Sequence, residues 1–298
     1  MKNKRRILIF AVLAVLICTA GVVTAIILNN QNGIYCIDGS LYKKGAELDE
    51  QTLVANIDVL NAVRADYFPD ADVYYALIPD KNFFSDKATL DYDRIAEIVD
   101  SEFFAVNSIS LFESLTAESY FYTDGYWRQE CLQAVVNRLG AALGFEIDLE
   151  DFSLLDYTGY LGGYSHLTSK KHGDDILFTL INLDTRSAEV CDMLTGQYVN
   201  IYATDLFEGD TPYSIYLGGS RALTDIINPE VETGKRLIVF GDDFSYPLVP
   251  LLLPAYSEIV LIDLRLISLE DLSGYVEFEG AEVLYLYNTA GLCGENFK

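Results

Sequence analysis

The segment RLIVFGDDFSYPLVPLLLPAYSEIVLI, residues 236–262, contains two apolar runs separated by a polar turn and a proline-containing stretch. Residues 236–240 and 259–262 have the length and the apolar, β-branched composition of buried strands. Between them, residues 244–253 predict a short helix, which Pro247 and Pro250 shorten or distort. A strand–helix–strand order predicts parallel neighbouring strands with the helix packed on one face of the sheet.

The same alternation continues in both directions along the chain. Apolar runs predict further strands at 73–78, 175–181, 187–192, 197–203 and 283–286, and a hairpin at 34–42. Apolar residues at helical spacing predict helices over 53–67, 89–100, 127–143 and 268–273. Residues 150–173, rich in Gly, Tyr and Ser, are interpreted as a loop or an insertion. We therefore predict one α/β domain with helices on both faces of a parallel sheet.

The chain is strongly acidic, and its charge is unevenly distributed. It contains 20 Lys and Arg against 45 Asp and Glu, a formal net charge of −25 at pH 7. Four of the basic residues and none of the acidic ones lie within residues 1–30, which leaves −29 for the rest. Such a surface repels nucleic-acid phosphates, so we expect neither DNA nor RNA as a partner. Hydrophobic residues make up 51% of the sequence, enough for a sizeable core.

Residues 7–28 form an unbroken run of 22 residues without a charged side chain, and residues 1–6 before it are basic. As a helix this run would span about 33 Å, enough to cross the hydrocarbon core of a bilayer. The basic cluster places residues 1–6 in the cytoplasm and residues 29–298 outside. A cleaved signal peptide is the alternative, but its apolar core is usually about 7–15 residues long. We therefore expect a single-pass anchor in the cell membrane with one extracytoplasmic domain.

Four cysteines follow the apolar run: Cys36, Cys131, Cys191 and Cys293. Their even number permits two disulfides, and a reducing environment would leave four thiols, so both states stay open. The absence of a Cys-x-x-Cys pair in the sequence argues against a zinc site. We expect neither a metal nor another cofactor.

Two short segments carry the polar side chains that a catalytic site needs. YTDGYW, residues 122–127, opens the helix predicted over 127–143, and FGDDFS, residues 240–245, follows a predicted strand. Ligands of open α/β sheets bind at the carboxyl ends of strands. A strand–turn–helix corner can also expose a nucleophile beside backbone N–H donors. The second segment therefore has the setting of a hydrolase site, although its turn offers two carboxylates and no hydroxyl.

These segments resemble the bacterial DHHW family, part of the SGNH-hydrolase-like proteins that include the alginate O-acetylation proteins. Family members carry Tyr-x-Thr-Asp-His-His-Trp where this chain has YFYTDGYW at 120–127, and Asp-Ser-Tyr or Asp-Ser-Phe where it has DDF at 242–244. Further similarity lies in the same order at 212–219, 228–229, 234–235, 262–265 and 284–288. The resemblance covers residues 34–293 and implies an SGNH-hydrolase-like three-layer domain with a largely parallel sheet.

The resemblance also implies a triad in which a Ser attacks an acetyl ester, a His removes its proton and an Asp orients the His. On this chain the Asp falls on Asp124, the catalytic His on Tyr126, the second family His on Gly125 and the Ser on Asp243. A tyrosine, with an ordinary pKa of about 10, is a poor general base at neutral pH. A carboxylate at the nucleophile position opposes the oxyanion that develops during acyl transfer. The sequence does not decide whether Tyr126 and Asp243 interact; one hypothesis is that they share a charge-assisted hydrogen bond.

The surroundings of the triad positions are predicted to bind the ligand. We assign this role to five residues of the family motifs: Trp127, Asp242, Ser245, Gly218 and Gly219. The tyrosines that alternate with glycines at 157–164 suit stacking on a carbohydrate, or simple packing in a surface loop.

Other residues offer weaker routes to chemistry. Ser220 has no identifiable general base in the sequence to activate it as a nucleophile. His166 and His172 lie in the segment interpreted as a loop. Adjacent carboxylates such as those at 242–243 are more often a helix N-cap than a metal site.

The sequence is compatible with three functions. The first is a protein with a degenerate acyl-transfer site that binds a cell-envelope polysaccharide or assists its O-acetylation. The second is an active O-acetyltransferase or acetyl esterase with a rebuilt site, and the third is a non-enzymatic envelope protein that binds a protein partner. The residues at 126 and 243 favour the first, because two of the three triad positions lack the required side chain.

Overall fold

The computed structural model of the chain describes residues 33–168, 172–272 and 274–298. The membrane-spanning segment predicted at 7–28 and the tail predicted at 1–6 lie outside the described residues. Within the described ranges, no helix has both the length and the apolar character that a bilayer crossing requires.

The described residues form one eight-stranded sheet and two separate hairpins. Five parallel strands make up one side of the large sheet, in the order β4 (Asn107–Ser110), β3 (Val73–Ile78), β12 (Glu282–Asn288), β10 (Arg236–Gly241) and β11 (Glu258–Ile262). Three antiparallel strands continue it beyond β11: β9 (Leu223–Ile227), β7 (Glu189–Asp192) and β8 (Gln197–Val199). The predicted α/β fold with a large sheet is confirmed.

Both faces of the parallel strands are buried. Val239 and Leu284 face one core and their neighbours Ile238 and Val283 face the other, as the alternation of a strand requires. Two helices cover the first face, α3 (Gln133–Leu143) and α5 (Ser245–Leu252), and two cover the second, α1 (Glu50–Tyr67) and α2 (Tyr92–Glu102). Three shorter helices complete the described part: α4 (Leu183–Ser187), α6 (Leu269–Leu272) and α7 (Thr289–Gly294). Burial on both faces explains why these strands are continuous apolar runs in the sequence.

The register of the central strands brings distant polar residues to one edge. Gly241 of β10 is level with Leu286 of β12, and Asn288 of β12 is level with Ile78 of β3. The residues that follow β10 and β12 therefore emerge together at the carboxyl edge of the sheet.

The helix predicted over 127–143 begins later than expected. Trp127 pairs with Tyr120 in an isolated antiparallel bridge, and Arg128 keeps an extended backbone with φ −100° and ψ 126°. Because this bridge holds residues 127 and 128 in a strand-like conformation, α3 starts only at Gln133.

The interpretation of 150–173 as a loop is wrong for part of that range. Residues Ser153–Tyr160 form β5, which pairs antiparallel with β6 (Asp175–Ile181). Most side chains of β5 are exposed, so its sequence lacks the apolar pattern that marks a strand. The hairpin predicted at 34–42 is confirmed as β1 (Ile34–Ile37) and β2 (Ser40–Lys43). All four cysteines of the described residues are free thiols.

Candidate functional site

Asp242 is the structural centre of the corner that follows β10. Its side chain is buried, and it accepts hydrogen bonds from the backbone N–H of Phe244 at 3.0 Å and of Asn288 at 2.8 Å. The second bond ties the corner to the end of β12. A Cβ at Gly241 would lie 2.9 Å from the Leu286 carbonyl oxygen, so a glycine permits this close approach.

Asp243, at the position of the family's nucleophile, has both carboxylate oxygens engaged. Its Oδ2 accepts a hydrogen bond from the Tyr126 hydroxyl at 2.9 Å. Its Oδ1 accepts one from Arg265 Nη2 at 2.7 Å and one from the Ser220 hydroxyl at 3.1 Å. The hypothesised hydrogen bond between Tyr126 and Asp243 is therefore present, and the Arg265 guanidinium neutralises the carboxylate.

Tyr126 is positioned by aromatic packing as well as by this bond. Its ring stacks on Tyr213 with centroids 4.1 Å apart and an angle of 10°, and Phe244 packs against it at 5.3 Å. Burial raises the pKa of Tyr126 far above its ordinary value, and the neighbouring Asp243 carboxylate raises it further. The hydroxyl therefore stays protonated and donates, which removes it as a general base.

Arg265 is a site residue that the sequence reasoning did not assign. Its guanidinium binds Asp263 through Nε at 2.9 Å and Nη2 at 2.7 Å, and its Nη1 binds Glu295 at 2.8 Å. The side chain of Asp263 is fully buried and that of Glu295 is half exposed. The signal that could have found Arg265 is its place two residues after Asp263, directly beyond β11 at the same edge of the sheet.

Asp124 holds a neighbouring segment in place. Its Oδ1 accepts the Gly125 N–H at 2.7 Å, and its Oδ2 accepts the Tyr160 hydroxyl at 2.8 Å and the Gly163 N–H at 2.9 Å. Burial raises the pKa of Asp124, and these three hydrogen bonds oppose the rise. The carboxylate at the triad's Asp position thus anchors residues 160–163.

The position of the second family His is filled from another part of the chain. A Cβ at Gly125 would lie 2.2 Å from the Tyr164 hydroxyl oxygen. The Tyr164 ring therefore occupies space that a side chain at position 125 would need.

Lys81 is a buried cation that the sequence reasoning missed. Its Nζ donates to the backbone carbonyls of Leu41 at 2.6 Å, Phe121 at 2.7 Å and Asp124 at 2.9 Å. Burial lowers the pKa of Lys81 to about 8, against the opposing attraction of Asp124 and Asp175. The ammonium joins β2 to the segment that carries Asp124 and Tyr126.

A cavity of about 480 Å³ opens at this edge of the sheet. Of the residues assigned to the site from the sequence, Asp124, Tyr126, Asp242 and Asp243 line it, together with Lys81, Tyr164 and Arg265. The other assigned residues lie elsewhere. Trp127 and Ser245 are fully buried in the core, and the Ser245 hydroxyl donates to the Asp242 carbonyl oxygen at 2.5 Å.

Gly218 and Gly219 also lie away from the cavity wall. They adopt left-handed backbone conformations, with φ +72° and +86°, beside Arg221 and Ser214. Their place is a turn that precedes β9, outside the residues that line the cavity. Among the described residues, no group of three or more His, Cys, Asp or Glu side chains is arranged to hold a metal ion.

Asp242 predicts a specific dependence of stability on pH. Burial raises its pKa to about 7, against the opposing effects of Arg265 and the two backbone N–H groups. Between about pH 4 and 7 the folded state keeps a proton that the unfolded state has lost. The proton on Asp242 therefore stabilises the folded state fully below about pH 4. As the pH rises from 4 to 7, the unfolding free energy falls by at most about 1.4 kcal/mol per pH unit. Urea unfolding of residues 31–298 across this range measures the decline.

Asp242→Asn should flatten this decline, because an amide does not titrate. The exposed Asp70→Asn is the matched control and should leave it unchanged. A decline of full slope in Asp242→Asn would contradict the assignment.

Several proteins of known structure are similar to this chain in fold. No protein-family model matches the chain, and no curated protein does. A DHHW family protein from Eubacterium siraeum is similar in structure at 16% identity with a TM-score of 0.70, over 89% of this chain and 93% of that one. Bacillus cereus PatB1 is similar at 22% identity with a TM-score of 0.70, over 89% and 99%. The O-acetyltransferase domain of Pseudomonas putida AlgJ is similar at 12% identity with a TM-score of 0.52, over 89% and 93%.

These identities are low, so the similarity concerns the fold. It confirms the resemblance that the motifs at 120–127 and 242–244 predicted. The chain has the fold of the DHHW and alginate O-acetylation-related proteins.

Proposed function

We propose that the chain is a membrane-anchored, extracytoplasmic protein that binds a cell-envelope polysaccharide, or assists its O-acetylation, without catalysing acyl transfer itself. The hydrogen bond of 2.9 Å between Tyr126 and Asp243 carries this proposal. It joins the two positions at which the resemblance places the general base and the nucleophile. A protonated tyrosine hydroxyl and an ion-paired carboxylate there lack the free base and the hydroxyl nucleophile of the triad.

The state of Asp243 supports the loss of chemistry. Its oxygens are occupied by Tyr126, Arg265 and Ser220, so the corner is a closed hydrogen-bonded network. A nucleophile must instead be free to attack and must be activated by a base. The network stabilises the corner and leaves the cavity beside it open to a ligand.

The similarity to an O-acetyltransferase domain supports the ligand class. The cavity has a volume within the range of small-ligand sites. Glu295, Tyr126 and Tyr164 are among the residues that line it. Carboxylates hydrogen-bond to sugar hydroxyls, and aromatic rings present an apolar surface to sugar C–H groups.

Equilibrium binding to purified envelope polysaccharides tests the proposal. Residues 31–298 should bind at least one of them, and Tyr164→Ala should weaken that binding about tenfold, a loss of about 1.4 kcal/mol. Tyr198→Ala is the matched control, because Tyr198 is 70% exposed on β8 and does not line the cavity. Failure to bind any envelope polysaccharide, or equal weakening by both variants, would contradict the proposal.

One contact favours an active enzyme as the second candidate. The Ser220 hydroxyl donates to Asp243 at 3.1 Å, which pairs a hydroxyl with a carboxylate that can accept its proton. This reading predicts hydrolysis of an acetyl ester by the unchanged protein and its loss in Ser220→Ala. The engagement of Asp243 by Arg265 and Tyr126 makes it the weaker candidate.

A further inference from the structure

We infer that the cavity opens close to the membrane surface and takes a saccharide that is still attached to its lipid carrier. The inference rests on the membrane anchor of the proposed function and names the form of glycan that reaches the site. It places the protein's action before the glycan is released from the membrane. Three observations carry it.

The first observation is where the described chain begins. The carbonyl oxygen of Gly33 accepts a hydrogen bond from the Lys44 N–H at 2.8 Å, and Ile34 pairs with Lys43 in the β1–β2 hairpin. Lys43 and Lys44 both line the cavity. The chain therefore enters the domain at the wall of the cavity.

The second observation is the length of the connection. Only residues 29–32 separate the end of the apolar run at Leu28 from Gly33. Even fully extended, this connection reaches about 18 Å at most. The headgroup layer of one leaflet takes up about 5–8 Å of that distance. Gly33, whose carbonyl oxygen bonds the Lys44 N–H at the cavity wall, is thus held within roughly 10–13 Å of the headgroups, and a shorter path brings it closer.

The third observation is the local charge. Residues 33–46 contain Lys43 and Lys44 against one acid, Asp38, whereas the whole chain carries −25. Both lysines are exposed, and Asp38 lies at the opposite end of the hairpin, in its turn. An anionic membrane surface attracts such a basic edge and repels the acidic remainder of the domain. The exposed Glu47, Asp49 and Glu50 follow directly, so the attraction is confined to the two lysines beside the point where the chain enters the domain.

The short connection formed by residues 29–32 determines which ligands reach the cavity. A saccharide on a lipid carrier is confined to the same layer above the bilayer, so its effective concentration at the cavity is high. A soluble saccharide has no such advantage. The polar and aromatic lining described above suits the sugar, while the lipid stays in the membrane.

Fluorescence quenching in lipid nanodiscs tests the geometry with the full chain. A fluorescent amino acid replaces Lys44 in one variant and Glu232 in a matched control, and the lipids carry a spin label on the headgroup. Glu232 is exposed in the loop before β10, at the amino edge of the sheet, about 20 Å from the cavity edge. We expect several-fold stronger quenching at position 44 than at 232. A long Gly/Ser linker inserted after Asn32 should abolish the difference.

Photo-crosslinking tests the form of the ligand. A photoreactive amino acid replaces Ala46, an exposed residue of the cavity wall. The nanodiscs contain a polyprenyl-diphosphate-linked disaccharide, and a parallel sample receives the same disaccharide free in solution. Capture of the lipid-linked form above the free form supports the inference. Preferential capture of the free form, or capture of neither, overturns it.

The outcomes separate this inference from the proposed function. If the full chain resists extraction from membranes by alkaline carbonate but position 44 is quenched no more than 232, the anchor stands and the inference fails. If carbonate extracts the chain, the anchor and the inference both fail. Polysaccharide binding by residues 31–298 is measured without a membrane, so it reports on the rest of the proposed function in either case.

Discussion

The Tyr126→His, Asp243→Ser double variant of residues 31–298 should hydrolyse an acetyl ester, whereas the unchanged protein should not. The two side chains that are exchanged meet at 2.9 Å, so positions 126 and 243 face each other. Histidine and serine are shorter than tyrosine and aspartate, so the imidazole and the hydroxyl must close a gap before they can react. The exchange also removes the carboxylate that opposes a developing oxyanion. A positioned general base alone contributes about 10²–10⁴-fold, which sets the expected gain over the unchanged protein.

Asp124 decides how much activity returns. A triad Asp must accept the second N–H of the imidazole, and Asp124 already accepts bonds from Tyr160 and two backbone amides. Adding Tyr160→Phe to the double variant frees one of these positions and should raise the rate further. Adding Asp124→Asn should lower it.

The single variants are the controls for this experiment. Each supplies one half of the nucleophile–base pair and should stay at the background rate of ester hydrolysis. Turnover by the unchanged protein would refute the loss of chemistry, and its sensitivity to Ser220→Ala would then identify the rebuilt site.

Lys81→Met should destabilise the protein by about 2–5 kcal/mol, since each buried carbonyl that loses its donor costs about 1–3 kcal/mol. Three such carbonyls, those of Leu41, Phe121 and Asp124, share the ammonium. Removing a partly desolvated charge offsets some of this cost, because burial disfavours the charged lysine. The expected loss is a large fraction of the roughly 5–15 kcal/mol by which a typical domain is stable.

Lys87→Met is the matched control for this prediction. Lys87 is exposed and lies over the ring of Tyr35, so its replacement should change stability by no more than about 0.5 kcal/mol. Midpoints of urea unfolding compare the two variants. Equal midpoints would show that the carbonyls around Lys81 find other donors.

The central strands and the location of the site follow from contiguous sequence. Runs such as 236–240 and 283–286 are buried on both faces, and that burial demands an apolar side chain at nearly every position. The site corner directly follows one of these runs, so Asp242 and Asp243 could be placed at the carboxyl edge from sequence alone. The family motifs aligned positions 126 and 243 and suggested the Tyr126–Asp243 bond as a hypothesis, which only the structure could decide.

What the sequence did not reveal depends on which side chains meet across long stretches of chain. Arg265 reaches Asp243 over 22 residues, Lys81 reaches the Asp124 carbonyl over 43, and Tyr160 reaches the Asp124 carboxylate over 36. No periodicity reports such contacts, because they arise only when the sheet register and the turns bring separate segments together. The same geometry turns Trp127 and Ser245 into the core and leaves Tyr126 and Asp243 at the cavity. Local composition thus determined the strands and the edge where the site lies, and tertiary packing decided which polar groups share it, because burial and hydrogen-bond direction are properties of the assembled fold.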